Sequence, residues 1–244
     1  MKNVLLIGCG EVGEAIHRIE IKAGNSVSII TQSSSEAHMS SVGRDFDVMH
    51  VNIPFSDKFA YIVTEYVKRY SPKLVIINST VKLGTTRALK AEINIPVVHS
   101  PIRGIHPNLY EGIKTFVKYI GGDEEDSILA EDHFKEIGIK THICLNAETT
   151  EIGKILSTTY YGWNILFAKQ AKLICENAGA DFDDSYTDFN KTYNDGYIEL
   201  DKPEVVRPIL KPPKIKIGGH CISQNFELLP ESKLKKISKD LNEN

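Results

Sequence analysis

The sequence predicts an α/β fold, with a doubly wound, mostly parallel sheet followed by a smaller all-helical part. Three observations carry that expectation. Short apolar runs alternate with helical patterns through residues 1–146. A glycine-rich turn closes the first of those runs. From Ala147 to Asn177 the strand signal is gone and a single helical period replaces it.

Each element has its own reason. Val4-Leu5-Leu6-Ile7 is an apolar run of strand length ending at glycines. Glu11 to Ala23 spaces Val12, Ala15, Ile16 and Ile19 as a helix and stops at Gly24-Asn25. Ser26–Thr31 and Asp47–Val51 read as the second and third strands. Phe59 to Tyr70 is helical, Lys73–Asn78 a fourth strand, Ile95–His99 a fifth and Phe116–Ile120 a sixth. A helix over Glu124–Ile137 then leads into a strand over Lys140–Cys144. Strands alternating with helices are the pattern of a parallel sheet covered on both faces.

In the second part, Ile152, Leu156, Thr159, Trp163, Leu166, Phe167, Ala171 and Ile174 share one face of a helix. Thirty-one residues make it about 46 Å long, a spine suited to joining two subunits. Gly153 and Gly162 are potential breaks in it. Residues 181–199 form another helical stretch, Lys202–Pro213 an extended proline-rich loop and Ser232–Leu241 a short charged helix. The expected organisation is a dinucleotide-binding domain over 1–146 and a helical substrate and dimerisation domain over 147–244.

Composition bounds the function. The chain has 244 residues, 41% of them hydrophobic and 25% charged. At roughly 150 residues per domain this is one and a half domains. Twenty-nine Lys+Arg against thirty-two Asp+Glu give a net charge of −3. That argues against a nucleic-acid partner, which selects for basic excess. The four cysteines, Cys9, Cys144, Cys175 and Cys221, show no CxxC pair and no metal-ligand spacing, so no metal is expected. Reduced cysteines fit a cytoplasmic setting. No apolar run approaches the roughly 20 residues of a membrane span, and the N-terminus does not read as a signal peptide.

Gly8-Cys9-Gly10-Glu11-Val12-Gly13 is a GxGxxG turn. It lies between the first strand and the first helix, the context in which this pattern binds a dinucleotide pyrophosphate. The first domain is therefore expected to be of Rossmann type. The phosphates would meet backbone N–H groups at the helix N-terminus, including those of Glu11 and Val12. Thr31, Gln32 and Ser33 at the end of the second strand face the ribose position, and Pro54 joins the cofactor contacts. No carboxylate or arginine stands at the ribose position, so the sequence leaves NAD and NADP both open.

Four stretches together resemble the nucleotide-sugar 6-dehydrogenases, the UDP-glucose and UDP-N-acetylmannosamine dehydrogenase group. That group lies within the 6-phosphogluconate dehydrogenase-like superfamily. Besides the glycine loop, Ser79-Thr80-Val81-Lys82-Leu83-Gly84-Thr85-Thr86 is similar to the family's STVxxGTT signature. Glu151-Ile152-Gly153-Lys154, continuing to Cys175-Glu176-Asn177-Ala178-Gly179-Ala180-Asp181, is similar to its ExxK helix and CExxGAD end. Gly218-Gly219-His220-Cys221 is similar to its GGHC motif.

The resemblance implies oxidation of an alcohol to an aldehyde, capture by a cysteine, a second oxidation and thioester hydrolysis. By the resemblance, Cys221 matches the nucleophile, Lys154 the catalytic lysine and Thr80 the threonine that places water and substrate. A thiolate is a strong nucleophile near neutral pH, and an ammonium stabilises developing oxyanion charge. Several positions depart from the family. Its SPE segment reads Ser100-Pro101-Ile102, its helix Asn is matched by Thr158, and its Asp after the cysteine by Asn225. Its C-terminal nucleotide-gripping domain has no counterpart in this sequence.

Arg103 and His106, after the fifth strand, suit a carboxylate or phosphate and a proton-transfer role. With Thr158 and His220 they are the expected substrate contacts. The first expectation is an NAD(P)-dependent oxidoreductase acting on an alcohol of a small anionic or sugar-like substrate, working as a homodimer. The alternative is a catalytically degenerate dinucleotide-binding sensor or partner protein, with Cys221 a relic. A methyltransferase, which also uses a glycine loop, is a third and more distant reading.

Overall fold

The structure is a computed structural model, which describes residues 1–104, 107–213, 217 and 222–243. His106, His220 and Cys221 lie outside the described residues. The strands are β1 (Asn3–Ile7), β2 (Ser26–Ile30), β3 (Val48–Val51), β4 (Val75–Ile77), β5 (Val97–His99), β6 (Lys118–Ile120) and β7 (Thr141–Ile143). The helices are α1 (Glu11–Lys22), α2 (Glu36–Ser41), α3 (Phe59–Tyr70), α4 (Thr85–Ile93), α5 (Leu109–Thr115) and α6 (Glu124–Glu136). They continue with α7 (Ala147–Ala178), α8 (Phe189–Glu199), α9 (Ile222–Leu228) and α10 (Lys233–Glu243). A wide π-type turn over Asp183–Asp188 leads into α8.

Five strands pair in the order β2-β1-β3-β4-β5, all parallel. The strands β6 and β7 form a separate parallel pair, tied to the end of β5 by the His99–Gly121 bridge. Alternating strand side chains feed two apolar layers, because successive residues point to opposite faces. Val4, Leu6, Val48 and Ile76 pack with Ile16, Ile19 and Phe134. Leu5, Ile7, Met49, Val75 and Ile77 pack with Phe59, Val63 and Leu89 on the other side. This is a doubly wound α/β sheet. Its strand order reverses between β1 and β3, which places the expected ligand crevice at the carboxyl ends of those two strands.

The chain divides into compact units of residues 1–154 and 155–244. In the second unit Leu166, Ile217 and Phe226 form a small core. The helix α7 is unbroken through both glycines. A Cβ on Gly162 would meet Ile222 Cγ2 and Phe226 Cζ, each at 2.7 Å, so this glycine admits α9 against the long helix. The apolar face expected from the periodicity is only partly buried. Thr159 and Leu166 are buried, whereas Leu156, Phe167 and Ile174 are exposed. Leu166 packs in the small core with Ile217 and Phe226, and the exposed residues lie on the next strip of the helix.

Candidate functional site

The glycine loop forms a cradle in which each glycine has a different job. Gly8 takes a positive φ of 89°, which turns the chain sharply out of β1. A Cβ on Gly13 would stand 2.2 Å from the Gly8 carbonyl oxygen, so only glycine lets α1 approach the turn. A Cβ on Gly10 would meet nothing within 4 Å, leaving an open face beside the start of α1. Gly10 is the N-cap and offers no side-chain cap. The first-turn N–H groups of Glu11, Val12 and Gly13 point outward from a helix start, where anions are favoured. The Val12 side chain packs against the sheet core. This geometry fits a dinucleotide pyrophosphate. Cys9, inside the loop, is a poor nucleophile, because burial and then Glu14 push its thiol pKa up.

At the end of β2 the chain forms a hydroxyl-lined turn. The Thr31 N–H donates to Ser34 Oγ at 2.9 Å, and the Thr31 and Ser33 hydroxyls lie 2.9 Å apart. Gln32 and Ser33 are exposed. Glu36, the nearest downstream carboxylate, is turned away into an ion pair with Arg69 at 2.5 Å. Pro54 is exposed two residues after Asn52.

The carboxyl ends of four strands are laced by side chains. Asn52 Nδ2 donates to the Gly8 carbonyl at 3.2 Å, and Asn78 Nδ2 donates to Asn52 Oδ1 at 3.0 Å. Ser79 Oγ donates to the Ile53 carbonyl at 2.6 Å. His99 Nε2 lies 3.1 Å from the Ser79 carbonyl. A carbonyl can only accept, so Nε2 carries the ring proton. Burial pushes the His99 pKa down to about 3, so the ring stays neutral. Thr80, the next residue after Ser79, is half-buried.

Glu151 joins two motifs that are separate in the sequence. Its Oε2 accepts the Gly84 N–H at 2.6 Å, and its Oε1 accepts the Thr86 N–H at 2.8 Å and the Thr86 hydroxyl at 2.7 Å. Gly84 is the N-cap of α4, so a carboxylate from α7 caps that helix from outside. Burial pushes the Glu151 pKa up against the pull of these donors. One turn later, Lys154 Nζ donates to the Ile102 carbonyl at 2.8 Å. A second lysine, Lys118, is 5% exposed and donates to the Ser100 carbonyl at 2.5 Å. Burial, with Lys154 nearby, pushes its pKa down to about 7. The segment Ser100–Ile102 thus presents its carbonyls to two lysines.

Arg103 is exposed, with its guanidinium 5.3 Å from the Tyr119 ring centroid and 5.8 Å from that of Phe116. Thr158 is half-buried on α7, four residues after Lys154. The Ile102 side chain, at the position of the family's Glu, is buried in the sheet core. Sequence reasoning missed Lys118, since a lone lysine in a short strand gives no sign that it is buried. It noted Glu151 only as a motif letter.

No protein-family profile matches the chain. The UDP-N-acetyl-D-mannosamine dehydrogenase of Pyrococcus horikoshii is 26% identical over 260 residues, covering 100% of this chain and 55% of that protein. The solved structure of UDP-D-ManNAc dehydrogenase from Pyrococcus horikoshii superposes with a TM-score of 0.78 at 19% identity, covering 99% of this chain and 68% of that one. A 3-hydroxyisobutyrate dehydrogenase of Mycobacterium tuberculosis superposes with a TM-score of 0.70 at 15% identity, covering 98% of this chain and 92% of that one. The chain spans about half the length of the relatives it matches. Its homologues and structural neighbours include UDP-N-acetylmannosamine and UDP-glucose dehydrogenases, and the similarity runs along the whole chain.

Proposed function

We propose that this protein is an NAD(P)-dependent dehydrogenase oxidising an alcohol of a small anionic or sugar-like substrate. The observation that carries the reading is the glycine cradle, open at Gly10 and closed at Gly13. The similarity to UDP-N-acetylmannosamine dehydrogenases supports the class of reaction. Residues 1–146 would hold the cofactor and 147–244 the substrate and dimer contacts.

When bound, the dinucleotide supplies an acceptor for the hydride. Glu11, Val12 and Gly13 bind its pyrophosphate through backbone N–H groups, and Thr31, Gln32 and Ser33 receive the ribose. The hydroxyl turn there fits either cofactor. Lys154, steadied by the Ile102 carbonyl, takes the alcohol proton and stabilises the developing oxyanion. Thr80 orients the hydroxyl. By the resemblance and the sequence reading, Arg103, His106, Thr158 and His220 would be the substrate contacts. By the resemblance, Cys221 would be the aldehyde trap of a second oxidation.

One observation favours a non-catalytic dinucleotide-binding protein instead. Ile102 is buried where the family's hydrolytic Glu would stand. Calorimetry with NAD and NADP, followed by an alcohol panel including UDP-N-acetylmannosamine, separates the two readings. The dehydrogenase reading expects cofactor reduction that falls at least a hundredfold in Lys154→Met. Tight cofactor binding with no turnover, and no effect of Lys154→Met, would leave the binding-protein reading standing.

A further inference from the structure

Next to the laced strand ends, three chemistry-bearing side chains meet inside the first unit. Glu20 comes from α1, His50 from the middle of β3 and His133 from α6. All three are 0% exposed. Glu20 Oε1 lies 3.1 Å from His50 Nε2 and 2.9 Å from His133 Nε2, and the two nitrogens are 3.3 Å apart. Three donor atoms of metal-ligand type thus form a near-equilateral triangle.

We propose that Glu20, His50 and His133 form a binding site for a divalent transition ion of the zinc class. An ion with nitrogen and oxygen ligands at 2.0–2.2 Å has ligand-to-ligand edges of about 3.3–3.5 Å when tetrahedral. The observed triangle comes within a few tenths of an ångström of that. Two imidazoles and one carboxylate are a known zinc donor set, leaving a fourth position for water.

The charge arrangement points the same way. A buried carboxylate is normally paired with a cation or bound to a metal. Glu20 has no lysine or arginine partner among the described residues. Its hydrogen-bond partners are the two imidazoles and Asn25, whose Nδ2 donates to Oε2 at 2.6 Å.

Two of the three ligands have an outer shell, while His133 Nδ1 has no hydrogen-bond partner among the described residues. Asn25 holds the second carboxylate oxygen, as ligating carboxylates usually require. Asn78 lies against His50 Nδ1 at 3.0 Å, and its Oδ1 has no partner. A half-turn of that amide offers the oxygen to the Nδ1–H of a metal-bound His50. The turn gives up the present bond from Asn78 Nδ2 to Asn52 Oδ1.

The test uses untagged full-length protein, stripped with chelator and titrated with Zn²⁺ and Co²⁺ under equilibrium dialysis. The expected result is one ion per chain, with the intense visible absorption of four-coordinate Co²⁺. Affinity should fall at least a hundredfold in Glu20→Gln and in His133→Gln. Less than one ion per chain, or full binding retained in both variants, overturns the proposal and leaves a hydrogen-bonded triad. Should the variants fail to fold, X-ray absorption at the zinc edge on the unaltered protein decides the matter. Nitrogen and oxygen neighbours alone support the site. A sulfur neighbour places the ion on a cysteine and overturns it.

Discussion

Gly10 and Gly13 are three residues apart, and the structure assigns them opposite sensitivities. Replacing Gly13 by Ala drives a Cβ to 2.2 Å from a backbone oxygen, which has nowhere to go. Overpacking of that kind costs about 1–3 kcal/mol. The same change at Gly10 meets no protein atom within 4 Å. Gly10→Ala should therefore leave stability within about 1 kcal/mol of the parent, the scale of an N-cap change, while weakening NAD(P) binding at least tenfold. Urea unfolding and calorimetry measure the two effects separately. Cofactor affinity unchanged in Gly10→Ala would mean that the open face is not where the pyrophosphate lies. Lys118 carries a pH signature. Its folded pKa of about 7 lies below its ordinary value of 10.5, so between those values the unfolded chain binds more protons. Stability must then rise with pH across that window, by at most about 1.4 kcal/mol per pH unit from this group. The rise should vanish in Lys118→Met, which should also be no less stable than the parent at pH 7. Urea midpoints from pH 7 to pH 9.5 check both points. A parent slope that survives the substitution assigns the titration elsewhere.

Helices with a full apolar period, such as α3, were legible because the buried apolar and aromatic positions, Phe59, Val63, Val67 and Tyr70, fall on one face. The short helices α2, α4 and α5, of 6, 9 and 7 residues, were not, because two turns do not establish a period. The strand runs were readable, yet nothing in them showed that β6 and β7 would pair apart from the main sheet. The glycine cradle was legible because its chemistry is local. The Glu151 cap and the buried Lys118 were not, since each depends on partners distant in the chain. In α7 the two glycines separate helix propensity from packing. Glycine costs up to about 1 kcal/mol against alanine within a helix. At Gly153 nothing lies within 4 Å of a new Cβ, so Gly153→Ala should gain most of that amount. At Gly162 the new methyl collides with Ile222 and Phe226 at 2.7 Å, so Gly162→Ala should lose about 1–3 kcal/mol instead. Opposite signs in chemical denaturation are the expected outcome. Equal stabilisation at both sites would show that α9 does not pack there.

At the scale of the whole molecule, the outer strip of α7 asks for a partner. Leu156, Tyr160, Phe167 and Ile174 are 45%, 65%, 62% and 67% exposed. With half-buried Trp163 they follow steps of four, three, four and seven residues, the spacing of a coiled-coil seam. The eighteen residue steps from Leu156 to Ile174 extend about 27 Å. A contiguous apolar strip of that length is unusual on a monomer surface. A second copy laid across it would present the same residues back, as a two-fold interface requires. The chain is therefore expected to run as a dimer of twice 27.3 kDa in light scattering at micromolar concentration. The double variant Phe167→Glu, Ile174→Glu places charges on the strip without touching the glycine cradle. It should run at 27.3 kDa, keep its circular dichroism and retain cofactor affinity within about twofold, since the cradle lies wholly within residues 1–154. A parent protein that is monomeric at the same concentration would remove the second copy as the occupant of this strip.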